Sequence, residues 1–339
     1  KREENELSQA FTAYNTRIVA PPHGSMLPMS PVRKNILMVA CALGLLIPVV
    51  IIFICENMNT RVRGRKDLES VTVPFIGEIP LFTRKKKGIF RKKPQEVRAI
   101  VVKEGSRDII NEAFRVLRTN LEFMTGKDKA SNVIIVTSFN PGSGKSFLTM
   151  NIAVSFAIKG KKVLVIDGDL RHGSASSYID SPTKGLSDYL GGRIDNLNEI
   201  IVTNPKQKYL DILPVGTIPP NPTELLFDDR LKQVIDTVRE QYEYVLIDCP
   251  PIELVADTQI IEKLADRTIF VVRAGLLELS MLAELEKIYG EKKYKNMSLI
   301  LNGTEGSGGR YGYRYGYRYG YHYGYGSEYH YGSDEKYIE

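Results

Sequence analysis

Asn140 to Phe147 read NPGSGKSF. Gly142, Gly144, Lys145 and Ser146 have the types and spacing of the second half of a phosphate-binding loop. In such a loop, backbone N–H groups and a helix start cradle phosphate oxygens. The lysine reaches the β- and γ-phosphates, and the serine hydroxyl reaches Mg²⁺. Pro141, Gly142, Ser143, Gly144, Lys145, Ser146 and Phe147 therefore form a candidate contact for ATP and Mg²⁺. The first glycine of G-x-x-x-x-G-K-S is absent, because Phe139 stands in its place. Two further stretches place acids directly after apolar runs. VLVIDGDLR carries Asp167 and Asp169, and YVLIDCPPI carries Asp248. Carboxylates at the C-terminal ends of buried strands lie where open α/β sheets bind ligands. Asp248 fits the acid that holds Mg²⁺ directly or through water. Asp167 and Asp169 suit either metal waters or proton acceptance. Three acids exceed the needs of one cation, and a spare carboxylate can take a proton from an incoming hydroxyl.

A third concentration of reactive groups closes the chain. Eleven of its 19 tyrosines are Tyr311, Tyr313, Tyr315, Tyr317, Tyr319, Tyr321, Tyr323, Tyr325, Tyr329, Tyr331 and Tyr337. Glycine, arginine and histidine alternate with the first eight, in RYGYRYGYRYGYHYGYG. Glycine at these positions predicts a flexible tail over 306–339 rather than a core strand. Such composition also suits low-complexity contact with RNA.

The elements that must position these groups follow from periodicity. NVIIVTS, KVLVID, YLDILPV, YEYVLIDC, RTIFVV and MSLILN are short apolar runs, as in buried parallel strands. Helical runs such as KSFLTMNIAVSFAIKG, DRLKQVIDTVREQY and DTQIIEKLA separate most of them. The order predicts a doubly wound, mostly parallel α/β domain over 105–305, of the P-loop NTPase type.

Ahead of it, Ile36 to Cys55 contain no charged residue, enough to cross a bilayer as one helix. Residues 61–93 are rich in Arg and Lys, opposed only by Asp67, Glu69 and Glu78. The positive-inside rule puts that side in the cytoplasm. Residues 56–104 read as a basic juxtamembrane linker, which also suits anionic lipid heads. Residues 1–35 combine a helix-like piece with a proline-rich one. Cys41, Cys55 and Cys249 are too few and too scattered for a disulfide framework or a zinc site. Cys249 reads as a packed residue rather than a nucleophile.

Together PGSGKS, VLVIDGDLR and VLIDCPP resemble a bacterial tyrosine kinase of the polysaccharide co-polymerase, capsule and exopolysaccharide export type. This family is akin to septum-site and plasmid-partition ATPases. EAFRVLRTN places Glu112, Arg115 and Arg118 at the spacing of the family's E-x-x-R-x-x-R helix, which mediates ring assembly. Spacing alone fits a solvated face with an internal ion pair equally well. VPFIGEIP is similar to the family's juxtamembrane segment, and residues 1–35 to the end of its periplasmic domain. The resemblance implies an inner-membrane autokinase that phosphorylates its own C-terminal tyrosines within a ring. It implies Lys145, Asp167, Asp169 and Asp248 as catalytic residues, with Asp167 as the base. Ser146, Asp167 and Asp248 are implied at the metal. Expected partners are other copies of the chain, the membrane, the polysaccharide export machinery and a tyrosine phosphatase, but no nucleic acid. Two other readings stay open: a structural co-polymerase gated by nucleotide, and a membrane-tethered partition-type ATPase.

Overall fold

The computed structural model of the chain describes residues 2–13, 32–57, 60–82, 99–125, 132–204, 207–253 and 256–305. The tyrosine-rich tail and the basic blocks around 84–93 lie outside the described residues. The chain divides into two compact units, 1–59 and 60–339.

The first unit contains α1 (Arg2–Ala13) and α2 (Arg33–Asn57). Within α2, the 22-residue span Arg33–Ile54 contains an 18-residue window of mean hydropathy 3.0, none of it buried, so it is long and apolar enough to cross a membrane. Pro48 sits inside α2. A proline within an apolar helix fits lipid, where neighbouring groups re-satisfy the freed carbonyl.

The second unit contains β1 (Phe75–Pro80), α3 (Ile109–Thr125), β2 (Asn132–Thr137), α4 (Lys145–Ile158), β3 (Val163–Asp167) and α5 (Leu186–Leu190). There follow β4 (Val202–Thr203), β5 (Leu210–Leu213), α6 (Pro222–Leu226), α7 (Asp229–Gln241), β6 (Tyr244–Asp248), α8 (Asp257–Glu262), β7 (Arg267–Arg273), α9 (Met281–Gly290) and β8 (Met297–Thr304). The eight strands form one sheet in the order β1-β8-β7-β2-β6-β3-β5-β4. All pairings are parallel except β4 with β5. The central strands β2, β3 and β6 are buried almost end to end, as their unbroken Val, Ile and Leu runs require when helices cover both faces. One apolar cluster on each face of the sheet completes the core.

The six strands expected from apolar runs are all present, and β1 and β4 join them. β1 corrects the expected linker boundary. VPFIGEIP is an edge strand of the sheet, parallel to β8, rather than part of a free segment. Ile76 and Ile79 are buried with Leu117 and Leu121 of α3, and the Leu117 side chain crosses Gly77. Residues just before β1 are docked too: Val62 is fully buried, and its N–H donates to the Leu277 carbonyl at 2.9 Å. Val101 and Val102 both donate backbone N–H groups to Asn151 Oδ1, at 2.8 and 3.1 Å. Residues 60–82 and 99–104 thus belong to the second unit. The only two buried positions of β1, Ile76 and Ile79, are three residues apart, so it lacks the period-2 alternation that would mark it as a strand within a basic stretch.

Replacing Ile79 by alanine is expected to destabilise the second unit by about 2–4 kcal/mol, because it opens a cavity between β1 and α3. Thermal unfolding of the whole chain measures this. An unchanged transition means that β1 is not part of the cooperative fold.

Candidate functional site

The phosphate-binding loop runs from the end of β2 into α4, at the C-terminal edge of the sheet. Phe139, in the slot of the missing glycine, is buried edge-on against Phe270 at 4.9 Å, so the core uses this position. Gly142 and Gly144 take φ of 73° and 88°, which only glycine adopts without strain. A Cβ on Gly144 would also collide with Asn302 Nδ2. That same nitrogen donates to the Ser143 carbonyl at 2.8 Å and ties the loop to β8. Ser143 Oγ donates to the Asn140 carbonyl at 2.8 Å. Pro141 and Gly142 are exposed, whereas Phe147 packs on Phe114 of α3 at 6.0 Å. The Phe147 ring therefore belongs to the core, and only its backbone is left to serve a ligand. Lys145 is 9% exposed, and among the described residues its ammonium has no hydrogen-bond partner.

β3 and β6 are neighbours, and their register sets Asp167 beside Asp248. Both carboxyl groups are buried, yet they are held differently. Asp167 Oδ2 accepts hydrogen bonds from the Ser176 backbone N–H at 2.6 Å and from Ser176 Oγ at 2.7 Å, while Oδ1 has no partner. Neither oxygen of Asp248 accepts a hydrogen bond of good geometry, although the Ser146 hydroxyl is close enough to favour its charged form. Burial raises Asp248 to about 8, with repulsion from Asp167 adding to it; nearby Ser146 and Lys145 work in the opposite direction. Burial raises Asp167 to about 7, partly offset by the Ser176 hydrogen bonds and reinforced by Asp169. Orphaned carboxylate oxygens in a dry site are costly unless a ligand completes them. Their hard oxygens, with the half-buried Ser146 hydroxyl nearby, suit Mg²⁺. Among the described residues, no three acidic, His or Cys side chains form a metal cage. A cation here needs phosphate oxygens and water to fill its shell, which is how Mg²⁺ is usually held.

Asp169 does a different job. Its Oδ1 accepts the backbone N–H groups of Arg171 and His172, both at 3.2 Å, and so shapes the turn after β3. Arg171 Nε bonds Asp257 Oδ2 at 3.0 Å, and its Nη2 bonds Thr223 Oγ1 at 3.0 Å. This half-buried network joins the turn to α6 and α8. Cys249 is fully buried and burial pushes its thiol up, so it is no nucleophile.

The E-x-x-R-x-x-R residues divide between two settings. Glu112 and Arg115 form an exposed ion pair at 2.6 Å on α3. Arg118 instead donates from Nη1 to the Ser155 carbonyl of α4 at 2.8 Å. Sequence reasoning missed Ser176, Asn302 and Asp257. None sits in a local motif, and only the end of the apolar run MSLILN hinted at Asn302.

A family described as an AAA domain matches residues 131–299. The tyrosine-protein kinase YwqD of Bacillus subtilis is 35% identical over 209 residues, covering 61% of this chain and 87% of that protein. The putative tyrosine-protein kinase AmsA of Erwinia amylovora is 32% identical over 300 residues, covering 85% of this chain. The chain spans 40% of the length of that protein. The solved kinase domain of the Escherichia coli tyrosine kinase ETK superposes with a TM-score of 0.63 at 29% identity, covering 78% of this chain and 100% of that one. By its phosphate-binding loop, its paired strand-end acids and these relatives, the chain belongs to the bacterial tyrosine-protein kinase family.

Proposed function

We propose that this chain transfers the γ-phosphoryl group of ATP to tyrosine hydroxyls, and that its own residues Tyr311 to Tyr337 are the principal acceptors. The observation that carries this reading is a buried Lys145 facing strand-end carboxylates, one with both oxygens free and another with one free. Bound Mg²⁺ neutralises phosphate charge in such reactions, and Ser146 and Asp248 are the residues that would hold it. The N–H groups from Gly142 to Ser146 and the Lys145 ammonium hold the phosphates. Asp167 Oδ1 accepts the tyrosine proton; a basicity near neutral pH suits a general base. The phenolate oxygen bonds to phosphorus as the bond to ADP breaks. Asp167, fully buried, becomes reachable only when the turn after β3 or the loop after β6 shifts.

The wider setting of the reading is an inner-membrane protein, with α2 as anchor and the second unit in the cytoplasm. Ring assembly would use Glu112 and Arg115 on the exposed face of α3, with Arg118 holding α3 to α4. Kinship with tyrosine kinases of exopolysaccharide and capsule systems favours a role in polysaccharide export, with a phosphatase resetting the tail. Each phosphate adds about −1.5 to −2 charges, so a modified tail becomes strongly anionic.

Intact-mass spectrometry of the whole chain in detergent, after incubation with Mg²⁺-ATP, tests the proposal. A ladder of added phosphates mapped to Tyr311–Tyr337 is expected. Unmodified protein that binds nucleotide normally points to a nucleotide-gated scaffold instead.

A further inference from the structure

Arg273 ends β7, in register with Asn302 of β8. Its side chain lies back over two glycines in the left-handed region. Nε is 3.0 Å from where a Cβ on Gly303 would sit, and Nη1 is 3.4 Å from the same point on Gly144. Gly303 and Gly144 have φ of 76° and 88°. Without side chains, they form the trough that admits the guanidinium to the rim of the phosphate-binding loop. The residue is half-buried, and among the described residues no hydrogen bond or ion pair engages its guanidinium.

This placement is electrostatically unfavourable on its own. Gly144 is the N-cap of the 14-residue helix α4. A helix N-terminus carries a partial positive charge and favours anions, not cations. Lys145 adds a second cation at the same point. Asp167 and Asp248 are across β2, on β3 and β6, while Arg273 approaches from the β7 side. An anion seated in the loop resolves the conflict. It would receive helix N–H groups, Lys145 and a planar guanidinium with five donors.

We infer that Arg273 is a nucleotide-contacting residue, whose guanidinium binds the phosphate chain on the flank away from the metal-holding acids. The inference rests on the nucleotide-binding reading above and adds a residue to it. Arg273 then contributes charge-assisted hydrogen bonds to ADP and ATP alike, and none to the unphosphorylated nucleoside.

The test is calorimetric titration of the whole chain in detergent with ADP and with adenosine, at low and moderate salt. Wild type, Arg273→Gln and Arg273→Lys are compared, with thermal unfolding as a check on folding. Arg273→Gln is expected to weaken ADP by about 10- to 100-fold, whereas Arg273→Lys recovers most of that loss. The salt dependence of ADP binding should become shallower in Arg273→Gln, which a purely structural role would not cause. Adenosine binding should be unchanged. An Arg273→Gln chain that binds ADP as wild type does overturns the inference and leaves the nucleotide reading standing. Equal losses for ADP and adenosine overturn the phosphate assignment. If Arg273→Gln fails to fold, Arg273→Lys decides, and weakening as large as that of Lys145→Met counts against a simple charge contact. A wild type that binds neither compound removes the nucleotide reading and the inference together.

Discussion

Lys145→Met is expected to reduce phosphate incorporation into the chain's tyrosines by at least about 100-fold, the scale seen when one charge-stabilising donor is removed from a desolvated site. Methionine has nearly the length of lysine and suits a position that is 9% exposed, so packing survives. What is lost is the ammonium, which has no hydrogen-bond partner among the described residues and which the proposed function assigns to a phosphate oxygen. Nucleotide binding weakens as well, because ground-state phosphates meet the same charge. The stronger effect falls on transfer, where charge develops on the bridging oxygen to ADP. Phosphotyrosine detection on purified wild type and variant, with equal protein and saturating Mg²⁺-ATP, measures the loss. Retention of more than a tenth of wild-type incorporation would remove Lys145 from the mechanism.

Asp248→Asn should produce two opposite changes in one variant. Transfer falls by about 100-fold or more, since the residue best placed to hold Mg²⁺ loses its charge. At the same time the ligand-free chain becomes more stable at neutral pH. The folded carboxyl group is raised to about 8 by burial, well above its unfolded value. Between pH 4 and 8 the folded chain therefore binds a proton that the unfolded chain releases. Stability falls as pH rises through that window, by about 1.4 kcal/mol per pH unit for a group held fully protonated. Asparagine removes this dependence but still buries an amide, so the net gain at pH 7 is about 1–3 kcal/mol. Differential scanning calorimetry without Mg²⁺ or nucleotide should show a higher Tm for the variant at pH 7.5, and little difference near pH 4. A lower Tm at pH 7.5 would mean that Asp248 already has a stabilising partner.

Part of this protein is written in neighbouring residues. The phosphate-binding loop, the strands before Asp167 and Asp248, and the uncharged run inside α2 are all local signals. Unbroken apolar runs, glycine spacing and hydrophobic length need no knowledge of the fold, which is why six of the eight strands and helix α4 could be placed from sequence. β1 could not be placed, because its identity as a strand comes from pairing with β8, more than 200 residues later in the chain.

Tertiary structure alone decided how the acids divide their work. By sequence Asp167 and Asp169 are two equal candidates two residues apart. In the fold, β3 ends at Asp167, which stands beside Asp248 and Ser176, while Asp169 lies beyond the strand and shapes the following turn. Packing also turned Arg118 toward α4 and away from the Glu112–Arg115 pair. Asn302 reaches Ser143 across 159 residues of chain. Arg273 meets Gly144 by the same adjacency of strand ends. Such contacts depend on strand order, and strand order is set by how the whole sheet buries its two faces. No local spacing encodes that, so the loop was legible in the sequence while the residues that brace and charge it were not.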